Sequence, residues 1–119
     1  MEAREYLKKI KDDGWYLHDT DGTTRQYIHR KIDGFLTVCV RHTEVLGAET
    51  QKAGLTPHSD EYDAEPEITV EASEGCVSAY CPDLPGVIAT GEDEVVVRER
   101  MEEAIRLHKR ALRGEPPEV

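Results

Sequence analysis

No stretch of this chain comes near the run of about 18 apolar residues that crosses a bilayer, and its N-terminus lacks the pattern of a secretory leader. Both absences point to a cytoplasmic protein with no membrane partner. Cysteine is scarce as well: Cys39, Cys76 and Cys81 are odd in number and never form a Cys-x-x-Cys pair. In a reducing compartment such residues serve as small buried hydrophobes rather than as a disulfide or metal framework. The histidines show no i, i+4 or other metal-ligand spacing, so neither a metal nor a cofactor is expected.

The first half of the chain also lacks net charge. Residues 1–58 hold nine Lys/Arg against nine Asp/Glu, and residues 59–119 hold six against sixteen, so the whole net of −10 lies in the second half. A uniformly acidic protein would be a poor nucleic-acid binder. A neutral half tied to an acidic half differs, because the acidic part can cover whatever the other would bind. The plainer alternative is that the acidic surface serves solubility. At 119 residues the chain is expected to hold one domain, or two very small ones that stabilise each other by packing.

Ala3, Tyr6, Leu7 and Ile10 fall on one helical face, and Asp12-Asp13-Gly14 ends that helix with glycine just past its last turn. Lys8, Lys9 and Lys11 lie largely off the apolar face. Residues 15–18 predict a short strand, residues 19–22 a turn, and residues 23–29 a second strand. Residues 35–40 are apolar on both faces, which predicts a central third strand. Thr43 is the expected cap of a short helix running toward Ala53 and closed by Gly54.

Thr56 to Pro66 form a proline-rich acidic joint, and its eleven residues reach at most roughly 36–40 Å, ample for one half to fold back on the other. Residues 67–72 alternate as a half-buried strand, Ser73-Glu74-Gly75 turns the chain, and residues 76–81 pair back. Pro82 and Pro85 then bar a continuing central strand, and Gly86 takes a positive φ to start the return strand Val87-Ile88-Ala89. A final helix begins near Asp93 or Glu94. It buries Val97, Met101, Ile105 and Leu112 with Ala104 and Ala111 beside them, and Gly114 with Pro116 and Pro117 ends it.

The run Tyr80-Cys81-Pro82-Asp83-Leu84-Pro85-Gly86, then Gly91 and a helix carrying Glu103, Ala104 and Ile105, resembles the HicB antitoxins of bacterial and archaeal toxin–antitoxin pairs. The first half is similar to HicA, the toxin partner, whose small fold is like a double-stranded RNA-binding domain. The similarity lies in Gly14-Trp15, in Gly22-Thr23-Thr24-Arg25-Gln26-Tyr27, in Thr37, Val38 and His42, and in Lys52-Ala53-Gly54-Leu55. The resemblance implies an α+β protein: a HicA-like α-β-β-β-α half over residues 1–56, a linker over 57–66, and a HicB-like β-β-β-α half over 67–119. No helix-turn-helix or ribbon-helix-helix pattern follows the last helix, a departure from many HicB proteins that makes DNA an unexpected partner.

HicA toxins, by the same resemblance, cleave RNA with one histidine on the second strand. Histidine suits that task because its pKa near 6.5 lets it take and return a proton near neutral pH. Here Thr24 stands at that position, and a hydroxyl needs an activating partner to act. The expectation is a degenerate site. His18 is the candidate substitute if a five-residue hairpin loop sets it opposite Thr24; a four-residue loop sets it opposite Thr23 instead. His42 matches a family position near the third strand, His29 is a more distant candidate, and His58 and His108 are expected in solvent.

Arg25, Arg30, Lys31 and Arg41 are the candidate RNA contacts, with ordinary exposed charge as the alternative. Tyr27 and Trp15 have the rings to stack on bases, with core packing favoured. The resulting expectation is a fused HicA–HicB-like protein whose acidic half contacts and masks an RNA-binding half. Any remaining activity would be that of a metal-independent endoribonuclease. The alternative is a non-catalytic regulatory module that forms homodimers or binds RNA or a separate HicA-type toxin.

Overall fold

The computed structural model describes residues 1–60, 62, 64–73 and 75–114. It is an α+β fold in which one mixed six-stranded sheet is covered by helices on both faces. The elements are α1 (Ala3–Asp12), β1 (Tyr16–Asp21), β2 (Thr24–Ile28), β3 (Leu36–Cys39), α2 (Ala48–Gly54), β4 (Thr69–Ser73), β5 (Cys76–Tyr80), β6 (Val87–Gly91) and α3 (Glu94–Leu112). Spatial order is β1-β2-β3-β6-β5-β4. The strands before and after the joint are therefore neighbours in one sheet.

That continuity rests on the parallel pair β3 and β6, in register as Thr37 with Val87, Val38 with Ile88 and Cys39 with Ala89. All other strand pairs are antiparallel. Every residue of both central strands is buried, as strands covered on two faces must be. Beneath α1 and α2, a core of Tyr6, Ile10, Leu36, Val38 and Ile88 fills one face. Across the sheet, Cys39, Leu84, Val87, Ala89, Val97, Met101 and Ala104 pack under α3. Trp15 and Tyr27 belong to the first of these cores.

Local chemistry explains most element ends. Gly14 closes α1 at φ 102°, and its amide donates to the Lys11 carbonyl at 3.0 Å. The Asp93 carboxylate accepts from the Val96 amide at 2.9 Å and starts α3. Gly86 takes φ 90° after the two prolines, and a Cβ there would lie 2.7 Å from the Phe35 carbonyl oxygen. Its amide donates to Ala53 O at 2.8 Å, and its carbonyl accepts from Thr37 N at 2.7 Å. The Pro-Asp-Leu-Pro-Gly turn thus ties α2 to β3. The Tyr6 hydroxyl donates to Gly54 O at 2.6 Å from across the sequence, and burial pushes its pKa up.

Several expected boundaries differ. β1 continues through residues 19–21, and the hairpin closes on Gly22 and Thr23 alone, because Asp21 pairs directly with Thr24. β4 begins at Thr69, two residues later than the alternation suggests. The expected Ser73-Glu74-Gly75 turn and the Pro116 and Pro117 stop fall partly or wholly outside the described residues. In the joint, Phe35 N donates to His58 O at 3.1 Å, and Lys109 Nζ donates to Ala64 O at 2.7 Å.

The start of α2 differs most. Thr43 does not cap it; the helix begins at Ala48 after Gly47, with no side-chain cap of its own. Glu71 from β4 supplies the cap instead. Its carboxylate accepts from the Thr50 amide and hydroxyl, each at 2.6 Å, and from the Glu49 amide at 3.3 Å. Gly47 permits the approach, since a Cβ there would lie 2.6 Å from the Glu71 carboxyl carbon. Replacing Glu71 by Ala is expected to lower unfolding free energy by roughly 1–2 kcal/mol, whereas Thr43→Ala should change it by about 0.5 kcal/mol or less. Urea denaturation of both variants measures the difference, and equal effects would contradict this capping.

Candidate functional site

Strand alternation sorts the residues of β2 between two environments. Thr24 and Gln26 point under α3 and are buried, whereas Arg25 between them is exposed on the opposite side. Arg25 pairs with Val38, so it stands at the end of the sheet where the chain leaves β3 toward Arg41 and His42. The Arg4 amide donates to His42 O at 3.1 Å and holds the start of α1 at this same end. Arg4, Lys8, Lys11, Arg25, His42 and Thr43 consequently line one shallow trough.

A second, more enclosed pocket of about 360 Å³ adjoins it and shares Arg25 and His42. Its other walls are Gly22 and Thr23 of the hairpin turn, Cys39, Val40 and Arg41, and Arg100 from α3. Arg100 is held in place: its Nη1 donates to Thr90 O at 2.6 Å and to the Glu44 carboxylate at 3.3 Å. Glu44 also accepts from the Thr90 hydroxyl at 3.0 Å, and that hydroxyl in turn accepts from Arg41 N at 3.1 Å. This ion pair is largely sheltered, with 16% and 10% of the two side chains exposed. Arg41 meets Glu92 at 3.6 Å in the open, where such pairs contribute little. Among the described residues, Lys8, Lys11 and Arg25 engage no carboxylate.

The four expected cationic contacts therefore divide. Arg25 and Arg41 share a pocket, but Arg30 and Lys31 lie in the loop at the other end of β2. Arg30 sits 5.9 Å over the Tyr16 ring, and Lys31 N donates to His29 Nδ1 at 3.0 Å. Arg4 and Arg100 were not singled out from the sequence. The only signal for Arg4 was its place on α1, and none pointed to Arg100.

Neither expected hairpin register forms. Leu17 pairs with Tyr27 and Asp19 with Gln26, which leaves His18 in a bulge, exposed and opposite neither Thr23 nor Thr24. Its ring lies 6.1 Å from that of Phe35. His42 is exposed in the trough, and His29 engages Asp13 O at 2.8 Å and packs edge-on against Trp15. Compared with protein-family models, curated proteins and solved structures, the chain matches none.

Beneath α3 the polar groups form a row. Gln26 Nε2 donates to Thr37 Oγ1 at 3.1 Å, and Thr37 Oγ1 lies 2.8 Å from His108 Nδ1. His108, expected in solvent, is fully buried, as is Leu107 beside it. Burial, with the nearby His58 ring, pushes the His108 pKa down to about 3. Its Nε2, the Nδ1 of His58 and the Thr24 hydroxyl are buried without a partner among the described residues. Position 108 falls at helical spacing from Met101, Ala104, Ile105 and Leu112, but histidine is too often a surface residue for its burial to be foreseen. Burial also pushes the Cys81 thiol up to about 12, which suits a packing role.

Two expected outcomes follow from this buried row. Thr24→Val should stabilise the fold by about 1 kcal/mol, because it removes a buried hydroxyl that makes no hydrogen bond; thermal denaturation checks it, and a loss of stability would show that the hydroxyl is satisfied. His108 titrates near 6.5 when unfolded and about 3 when folded, so between those values the unfolded chain binds the extra proton. Its stabilising share is complete above pH 6.5 and drains as pH falls toward 3, by up to about 1.4 kcal/mol per pH unit. His108→Gln should flatten that acid limb relative to the parent in urea titrations run from pH 7 to 4.

Proposed function

We propose that the protein is a fused HicA–HicB-like protein that binds RNA without cleaving it, its C-terminal half masking the face that carries Thr24. One observation carries the reading: β2 buries Thr24 under α3 while turning Arg25 outward into a trough with Arg4, Lys8 and Lys11. A general base must reach the ribose hydroxyl it deprotonates. At 0% exposure Thr24 reaches none, and the nearest buried histidine is held neutral below α3. On the other side Lys8, Lys11 and Arg25 remain open to a phosphate backbone, while Arg4 shares its charge with Glu2 at 3.2 Å.

The net charge of −10 does not prevent this, because screening limits each charge to about 8 Å at physiological ionic strength. The binding is accordingly local and salt-sensitive. Fluorescence anisotropy with a labelled single-stranded RNA should give an affinity that falls with salt at a logarithmic slope of roughly −2 to −3, equivalent to three or four phosphate contacts. A double charge reversal, Lys8→Glu with Arg25→Glu, should abolish that binding and leave the far-ultraviolet circular dichroism unchanged. The same RNA should stay intact on a gel after prolonged incubation. Cleavage by the parent protein that His42→Ala or His18→Ala removes would overturn the non-catalytic reading, and equal binding by the double variant would overturn the assignment of the trough.

A further inference from the structure

We infer that the more enclosed pocket, between the hairpin turn and the chain leaving β3, is a receptor for a phosphomonoester: the terminal phosphate of an RNA strand or that of a free nucleotide. For its natural ligand the inference rests on the RNA-binding reading above; the pocket itself stands on its own geometry.

Three arginines from three separate elements line this one recess: Arg25 from β2, Arg41 from the segment after β3, paired in the open with Glu92, and Arg100 from α3, paired with Glu44. Thr23 adds a hydroxyl, and among the described residues no Asp or Glu lines the recess itself, the Glu44 and Glu92 partners of Arg100 and Arg41 lying outside that lining. Arg100 is the fixed member. Glu44 and Thr90 hold its Nη1, so less side-chain freedom is lost when its remaining N–H groups meet an anion. The Thr23 hydroxyl lies 3.4 Å from Sγ of Cys39, which also lines the recess.

Donors arriving from several directions suit a tetrahedral anion better than a planar carboxylate, which takes one fork edge-on. They also distinguish phosphates. A monoester presents three terminal oxygens and carries nearly two charges at neutral pH, whereas a diester inside a strand presents two oxygens and one charge. The shallow trough alongside is the more open of the two and suits the passing backbone. The pocket is bordered by the Gly22–Thr23 turn and by Arg100, and it is assigned to a strand end rather than to a continuing strand. At about 360 Å³ it holds a phosphate with the sugar that bears it. Arg25 and His42 border both depressions, and a strand lying in the trough would deliver its end to the pocket.

The test uses the full-length protein and two pairs of probes: adenosine 5′-monophosphate against adenosine by calorimetry, and one RNA oligonucleotide with a 5′-phosphate or a 5′-hydroxyl by anisotropy. The nucleotide should bind with one-to-one stoichiometry and the nucleoside at least about tenfold more weakly, the size of one lost charge-assisted contact. The 5′-phosphorylated RNA should bind about five- to tenfold more tightly than its hydroxyl form. Arg41→Gln and Arg25→Gln, both at exposed positions, should each erase most of that advantage without lowering the melting temperature. Arg100→Lys, which keeps the charge but loses the fork, should do the same and is read beside them in case it perturbs the fold. If both RNAs bind equally and the nucleotide binds no better than adenosine, the pocket assignment fails while the trough stands. If the nucleotide binds and neither RNA does, the pocket stands as a nucleotide site and the RNA-binding reading fails.

Discussion

The parallel pairing of β3 with β6 is the constraint on which the rest of the structure depends. It sets two strands, fifty residues apart in sequence, side by side at the centre of the sheet, and so leaves each with a neighbour on both edges and a helix layer on both faces. A parallel pair needs a long crossover to bring the chain back in the same direction. α2, the joint, the β4–β5 hairpin and the Pro-Asp-Leu-Pro-Gly turn make up that crossover here. The Gly86 backbone bonds to Ala53 and Thr37 lock its end, and the closeness of Gly86 to the Phe35 carbonyl excludes any side chain there.

Once those strands are paired, α3 necessarily lies over β2 and β3 as well as over β5 and β6. The segments before and after the joint then share a core instead of touching across an interface. The cost is a set of polar groups, Thr24, His58 and His108, left below α3 without full hydrogen bonding. An uncharged His108 is the form such a site permits. The same alternation that buries Thr24 exposes Arg25, so one strand register governs both what is hidden and what is presented. Cation clustering at a single end of the sheet is a further consequence: β2 starts there, β3 finishes there, and α1 begins there. A protein with a large negative total can still present a local positive field, because Lys8, Lys11 and Arg25 engage no carboxylate among the described residues and water screens the more distant acidic side chains.

Much of this was legible in the sequence. Ala3, Tyr6, Leu7 and Ile10 mark the buried face of α1, and the residues of β3 declare a central strand by being apolar on both faces. Gly14, Gly86 and Asp93 mark element ends through backbone and capping chemistry that acts over a few residues. Where partners lie far apart in sequence, the pattern failed. Glu71 caps a helix that ends seventeen residues before it, and Thr43, the local candidate, has no part in that cap. The bulge at Leu17 and Asp19 shifts His18 out of either anticipated register, since a two-residue loop replaces the longer ones that composition suggested. His108 is buried because β3 brings Thr37 beneath it, a pairing seventy-one residues apart.

The sequence by itself determined the class of fold, nearly all of the helices and strands, the sharp turn at Gly86 and the lopsided distribution of charge. Those features follow from side-chain periodicity, restricted backbone angles and composition, all of which act locally. Only the tertiary structure decided that one sheet joins both segments, which face α3 covers, and which cations share a pocket. Those outcomes depend on strand order and register, and a shift of one residue in register reverses every side chain on a strand. Arg25 and Thr24 are adjacent in the chain and point to opposite faces of the sheet for that reason.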